Sequence, residues 1–175
     1  ENANLTAEKF LWNFGVTPGI NSTLKDPSVT YLTCGTFNVV LKTTNGLSQV
    51  DYDTIPVTIY CSPKANLNVS PVTGCIPLNV QFTNTSVQGT GAINRFLWDF
   101  GDGNTSTDSD PNHKYTISGC KNVTVIITDV NGCTDDTTIN NLVCMSAKPT
   151  ASFSSSATSS CGAPFVVNYS STSTG

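Results

Sequence analysis

His113 is the only histidine of the chain, so it is the one imidazole available as a general base, and no Ser, Thr or Cys has a base partner implied by the sequence. Four carboxylates, Asp99, Asp102, Asp108 and Asp110, crowd one stretch. Hard cations take several oxygens from short loops, so these four are the candidates for calcium, the only metal or cofactor the sequence brings into question. Turn formation accounts for the same residues without an ion, because Asp and Gly both favour tight turns. Seven cysteines accompany a single methionine, and no two of them stand two to four residues apart. That spacing lacks the paired cysteines a zinc site wants and points to disulfides more than to metal, with an oxidising compartment the better inference.

These residues sit in a chain that repeats itself. Phe10-Leu11-Trp12-Asn13-Phe14-Gly15 returns as Phe96-Leu97-Trp98-Asp99-Phe100-Gly101, a shift of 86. At the same shift Cys34 meets Cys120, Phe37 meets Val123, Val39 meets Val125, Asn45-Gly46 meets Asn131-Gly132 and Cys75 meets Cys161. Cys61 meets Cys144 at a shift of 83. The register divides the chain into residues 1–63, a domain lacking its first strands; 64–146, a complete domain; and 147–175, the opening strands of a third. Ser62-Pro63 and Lys148-Pro149 lie at the joins, where proline limits bending.

Within a copy the pattern is β. Leu78, Val80 and Phe82 alternate with polar residues, as do Val123, Val125 and Ile127, the signature of half-buried strands. Asn131-Gly132 is a strong hairpin signal, both residues tolerating the positive φ of a type I′ turn. No stretch has helical periodicity with caps. The fold class is all-β, a tandem array of Ig-like β-sandwiches. Trp12, Phe14, Trp98 and Phe100 are the predicted structural core, each tryptophan anchoring the space between two sheets. Gly101-Asp102-Gly103 is then the tight turn leaving that strand.

Comparing copies tests the chemistry. Val29 stands at the position of His113, next to Asp26-Pro27 and before Tyr31, and a valine cannot do acid–base work. Asn13 and Val16 replace Asp99 and Asp102, which confines calcium to the second domain. No catalytic residue is assigned, and the protein is read as not an enzyme. The first copy has Cys34 and Cys61 but Leu47 in the place of Cys133, so Cys34 pairs with Cys61 and, by register, Cys120 with Cys144. That leaves Cys75 for Cys133, and Cys161 for a partner beyond the third opening.

The run Trp98-Asp99-Phe100-Gly101-Asp102-Gly103, followed by Asp110-Pro111-Asn112-His113-Lys114-Tyr115, resembles the signature of PKD domains, the polycystic-kidney-disease-type repeat. With Gly74-Cys75-Ile76-Pro77-Leu78 and Asn131-Gly132-Cys133-Thr134-Asp135 on its flanks, the second domain is similar to tandem PKD repeats in surface adhesins of gliding and related Bacteroidetes-type bacteria. The resemblance implies an Ig-like sandwich used as spacer, stalk or adhesive module, and some members bind calcium.

Composition agrees with an extracellular or cell-surface location. Charged residues make up only 11% of the chain, while Thr, Ser and Asn number 26, 19 and 18, so solubility rests on hydroxyls and amides. A net charge of -4 leaves no basic footprint for nucleic acid, and no apolar run reaches the roughly 18 residues of a membrane span. Asp53-Thr54-Ile55 and Asp136-Thr137-Thr138 resemble the Asp-Thr-x acceptor for O-glycosylation, making Thr54 and Thr137 glycosylation candidates. Seven Asn-x-Ser/Thr triplets exceed chance only slightly.

The functional reading is a non-catalytic structural or adhesive segment of a long surface protein or filament. Its expected partners are neighbouring repeats of the same chain, together with surface polysaccharide or other cell-surface molecules. The alternatives are spacer repeats of a secreted multidomain hydrolase and a carbohydrate-binding module. The incomplete first domain and the third opening are completed either by a longer covalent chain or by strands donated between identical subunits. The sequence favours the covalent route, because a donated 151–175 would bring Cys161 opposite Leu47 and leave its thiol unbridged.

Overall fold

The computed structural model describes residues 7–159 and 161–174, and every regular element among them is a β-strand. In chain order these are β1 (Ala7–Asn13), β2 (Asn21–Ser22), β3 (Gly35–Asn45), β4 (Val50–Ile59), β5 (Leu67–Ser70), β6 (Thr73–Cys75), β7 (Leu78–Asn84), β8 (Ile93–Asp99), β9 (Thr105–Ser106), β10 (Asn112–Tyr115), β11 (Gly119–Asp129), β12 (Thr134–Ser146), β13 (Phe153–Ser155) and β14 (Tyr169–Ser171). Two compact units divide them. The first comprises Glu1–Pro63 with Gln88–Ile93 and Asp129–Thr134, and the second Lys64–Val87, Asn94–Thr128 and Asp135–Gly175.

The second unit shows why alternating sequences give a sandwich. One sheet runs β10-β7-β5, the other β6-β12-β11-β8-β9. Val80 and Phe82 of the first sheet and Trp98, Val123, Val125, Ile127 and Val143 of the second are wholly buried, while the residues between them on each strand mostly face water. Burying each such side chain contributes about 1.5–3 kcal/mol, and that apolar layer is the main force holding the two sheets together. Phe82 lies 5.7 Å from Trp98 and 5.0 Å from Phe100, tilted in both cases, so aromatic rings close the centre. The architecture is an all-β, Ig-like sandwich.

The first unit has one sheet, in the order β2-β1-β3-β4, with β3 and β4 paired from Gly35↔Ile59 to Thr44↔Val50. Phe14 is buried at 5% exposure, and its ring stacks with that of Trp12 at 6.4 Å. Trp12 itself is only half-buried, which corrects the expectation of a central, enclosed indole. The physical reason is that, among the described residues, no second sheet covers the face it occupies. Ser28–Tyr31 forms no strand either, although its counterpart in the second unit is β10, because β10 needs β7 to pair with.

Hydrogen bonds refine the repeat register. Trp12 Nε1 donates to Leu24 O (3.1 Å) and Trp98 Nε1 to Asp108 O (2.9 Å), a spacing of 84. Trp12 pairs with Ser22 and Trp98 with Ser106, again 84 apart, so the turn after Gly15 is two residues longer than the one after Gly101. The register therefore slips from 86 to 84 inside that turn. Downstream, Asn45 Oδ1 accepts the N–H groups of Leu47 and Gln49, and Asp129 Oδ1 those of Asn131 and Cys133. Asn45 thus corresponds to Asp129, and the two Asn-Gly pairs are not equivalent. Nor is the second turn type I′: Gly132 alone has positive φ (84°), within a three-residue connection closed by Asp129 N to Cys133 O (2.9 Å). Ser48 takes the same left-handed place in the first unit, with φ of 63°.

Candidate functional site

The sequence-selected polar residues meet around the turn between β8 and β9. The chain leaves Trp98 and must reverse within a few residues, which Asp99 and Gly101 arrange: Asp99 Oδ1 accepts Gly101 N (2.8 Å), and Gly101 adopts φ of +74°. A Cβ on Gly101 would stand 2.2 Å from Asn122 O, so glycine is required twice over, by conformation and by contact. Gly103 has φ of +89° but open space around it. Gly103→Ala is expected to cost about 1–2 kcal/mol, the left-handed penalty alone. Gly101→Ala should cost about 1–3 kcal/mol more, from overlap with backbone that cannot swing away. Urea unfolding of the two variants measures the difference; equal losses would contradict the contact.

His113 closes over this turn from β10. Its Nε2 lies 2.8 Å from Asp102 Oδ2, with the two side chains 13% and 12% exposed. An ionised carboxylate can only accept, so the imidazole nitrogen donates. The ring stacks face to face on Phe100 at 4.2 Å and meets Tyr115 edge-on at 4.6 Å. Tyr115 is fully buried and donates its hydroxyl to Phe100 O (2.9 Å). Burial, reinforced by the charges of Asp102 and Asp99, pushes that phenol well above its ordinary pKa, so it stays a donor. Burial also opposes ionisation of Asp102. Hydrogen bonds from His113 and from the backbone and side chain of Asn104 outweigh it, and the carboxyl titrates below the usual carboxylate value.

Each of the four candidate calcium ligands caps backbone or hydroxyl groups, or pairs with His113, instead of converging. Asp108 Oδ2 takes the Ser106 hydroxyl (3.3 Å), and Asp110 takes Asn84 N on one oxygen and the Ser109 hydroxyl on the other. Among the described residues no group of three or more His, Cys, Asp or Glu side chains could hold a metal ion. The four carboxylates point their oxygens at different partners. The His113 cluster contains no nucleophile. It is a clasp, fastening the β8–β9 turn to β10 over the aromatic core. In the first unit Tyr31 still donates to Phe14 O (3.3 Å) without a histidine beside it.

The cysteines are placed as follows. Cys34 bonds to Cys61 and Cys120 to Cys144, while Cys75, Cys133 and Cys161 are unbonded thiols. The expected Cys75–Cys133 bridge is therefore corrected. Cys75 pairs with Ser146 at the last residue of β12, and Cys133 immediately precedes the first. Thirteen residues at about 3.3 Å each put the two near opposite ends of the strand, far beyond the ~7 Å Cα limit for a disulfide. The elimination behind the pairing failed because two leftover cysteines need not be neighbours. Thr54 lies exposed on β4, the edge of its sheet, with its N–H on Asp53 Oδ1 (2.9 Å). Thr137 is half-buried on β12, on a stretch that β6 does not reach.

Two polar residues escaped the sequence reading. Asp135 Oδ2 accepts Ala65 N (2.7 Å), and Asp129, 2% exposed, caps the β11–β12 turn. Only Asp129 left a signal, an acid two residues ahead of Asn-Gly, as Asx-type capping requires.

The fold and this clasp define an Ig-like sandwich module. Residues 62–144 match the PKD domain model, and that segment belongs to the PKD domain family. Among curated proteins it is similar to the pre-pro-metalloprotease PrtV of Vibrio cholerae (45% identical over 58 residues, 33% of this chain and 6% of the relative) and to collagenase ColQ1 of Bacillus cereus (39% over 72 residues, 41% and 7%). The chain thus spans less than a tenth of those relatives. Among solved structures, the PKD1 domain of Vibrio anguillarum Epp is 30% identical, covering 50% of this chain and all of that one, with a TM-score of 0.44.

Proposed function

We propose that this chain is a run of structural and adhesive PKD-type repeats from a long extracellular surface polypeptide. The observation that carries this reading is the duplication itself. The tryptophan–carbonyl bond, the tyrosine–carbonyl bond, the tight glycine and the disulfide recur in both copies, whereas His113 and Asp102 do not. What is repeated is scaffold, and what is not repeated cannot be a function shared by the array. Its partners are then neighbouring repeats of the same chain and polysaccharide or other molecules of a cell surface, as in gliding-type adhesins. Glycans on Thr54 and Thr137 belong to the same reading, supported by the open strand edges on which both lie.

The protease and collagenase relatives support a second reading, in which the repeats space a hydrolase domain from its surroundings. The size of the native polypeptide tests the array. On a boiled, reduced gel of native material, probed with an antibody to residues 64–146, a band many times larger than 18.5 kDa is expected. A band at 18.5 kDa would overturn the long-chain reading.

A further inference from the structure

The sheet of the first unit has an outer face, on the side opposite Trp12. Pairing sets Leu11 beside Lys42 and Lys42 beside Tyr52, one row across β1, β3 and β4. Asn13 and Val40 stand in the next row on the same face, and Lys9 in the row before. Directly paired side chains are about 4.5–5.5 Å apart, so each row is a continuous strip. Asp51 and Asp53 alternate onto the opposite face. Over Lys9–Asn13, Val40–Thr44 and Val50–Thr54 the outer face therefore carries lysines and no carboxylate, in a chain whose net charge is -4.

This face is open by design of the sandwich. In the second sandwich the corresponding face keeps Leu97 and Ile126 exposed at 44% and 39%, although the sheet β10-β7-β5 closes its other side. The chemistry differs between copies. With Asn45 equivalent to Asp129, Ile126 stands in the place of Lys42 and Asp136 in that of Tyr52, while Asp99 replaces Asn13. Only the first unit joins cations, an amide and an aromatic ring there. Tyr52 is 61% exposed, and Lys42 Nζ lies 5.9 Å from its ring centroid, the lysine stem lying half-buried along the sheet. Asn13 gives its Oδ1 to Gly15 N (2.9 Å), which leaves its Nδ2 as a donor for a ligand. Leu11, Asn13, Val40, Lys42 and Tyr52 line a shallow concavity of about 420 Å³.

We propose that this face binds an acidic polysaccharide, one whose sugars carry carboxylate or sulfate groups. The C–H side of a pyranose stacks on Tyr52 and Leu11, the acidic group pairs with Lys42 and Lys9, and the Asn13 amide donates to a hydroxyl. The backbone of β3 is paired on both sides, by β1 and β4, so the face offers side chains and no main-chain partners, which favours a glycan over an extended acidic peptide. The inference deepens the surface-polysaccharide partner proposed above and rests on that reading.

The test is affinity electrophoresis of the intact 175-residue chain. It is produced without glycosyltransferases, so that Thr54, on the same face, carries no sugar. Alginate or dextran sulfate in the gel should retard the chain, the one that does so naming the acidic group, and neutral dextran should not. Lys9→Glu and Tyr52→Ala alter exposed residues, so urea midpoints should stay unchanged while each weakens binding by about tenfold, the loss of one good contact. Lys114→Glu makes the same charge change on exposed β10 and should leave binding intact. No retardation by either acidic polymer would overturn the proposal, as would equal retardation by dextran or by polyglutamate. So would full affinity in Tyr52→Ala, or a loss in Lys114→Glu as large as in Lys9→Glu, which would mean that net charge alone is felt. None of these results alters the size of the native polypeptide on a reduced gel, so failure here is distinguishable from failure of the array reading.

Discussion

Trp98→Ala should lower the stability of the second sandwich by about 3–5 kcal/mol, the usual cost of truncating a large buried aromatic. Trp98 is 0% exposed and touches the ring of Phe82 from the facing sheet, so its removal opens a cavity where the two layers meet. It also leaves Asp108 O without the indole N–H that holds the loop after β9. The same substitution at Trp12 is expected to cost roughly 1–2 kcal/mol, because less apolar surface leaves water there. Denaturant melts of the two variants should therefore differ in midpoint, with the Trp98 variant much the weaker. Equal losses would show that the two sheets are enclosed to the same degree.

Loss of the Cys120–Cys144 bridge should be comparably severe. It closes a loop with a sequence separation of 24, for which the chain-entropy model gives about 3.5 kcal/mol. The bridge ties the start of β11 to the end of β12, so in its absence the unfolded chain gains freedom while the folded contacts barely change. Cys120→Ser with Cys144→Ser should shift the unfolding midpoint of the second sandwich accordingly. Cys75→Ser, by contrast, should leave it unchanged, since Cys75 bonds to no other cysteine. If Cys75→Ser proved as damaging as the double variant, the bridge assignment would be wrong.

The sandwich class, the repeat and the aromatic core of the second unit were legible because they depend on patterns local in sequence: alternation along strands, Asn-Gly and Gly-x-Gly turns, and one tryptophan in each copy of a recurring motif. The two bridges were legible because each copy carries its own pair. The third pairing was not, because strand direction decides which end of the sheet a residue occupies, and β6 runs parallel to the far end of β12. The slip in register was hidden for a related reason. Two additional residues in one turn leave the flanking sequences looking aligned at 86 while the hydrogen bonds follow 84. Among the acids, the sequence showed where charge gathers but not its direction, and direction separates turn caps from a cation cage.

The account's central claim is that the His113–Asp102 cluster is a clasp and not a site of chemistry or recognition. The measurement that tests it most directly is the double replacement His113→Val with Asp102→Val, giving the second sandwich the residues its own first copy carries at those positions. Unfolding midpoint and attachment of the purified chain to immobilised polysaccharide are read in parallel. The clasp predicts a cooperative domain that loses about 1–3 kcal/mol, as expected for one partly buried, charge-assisted hydrogen bond, and attachment that falls only as far as stability does. Attachment abolished at an unchanged unfolding midpoint would contradict the account.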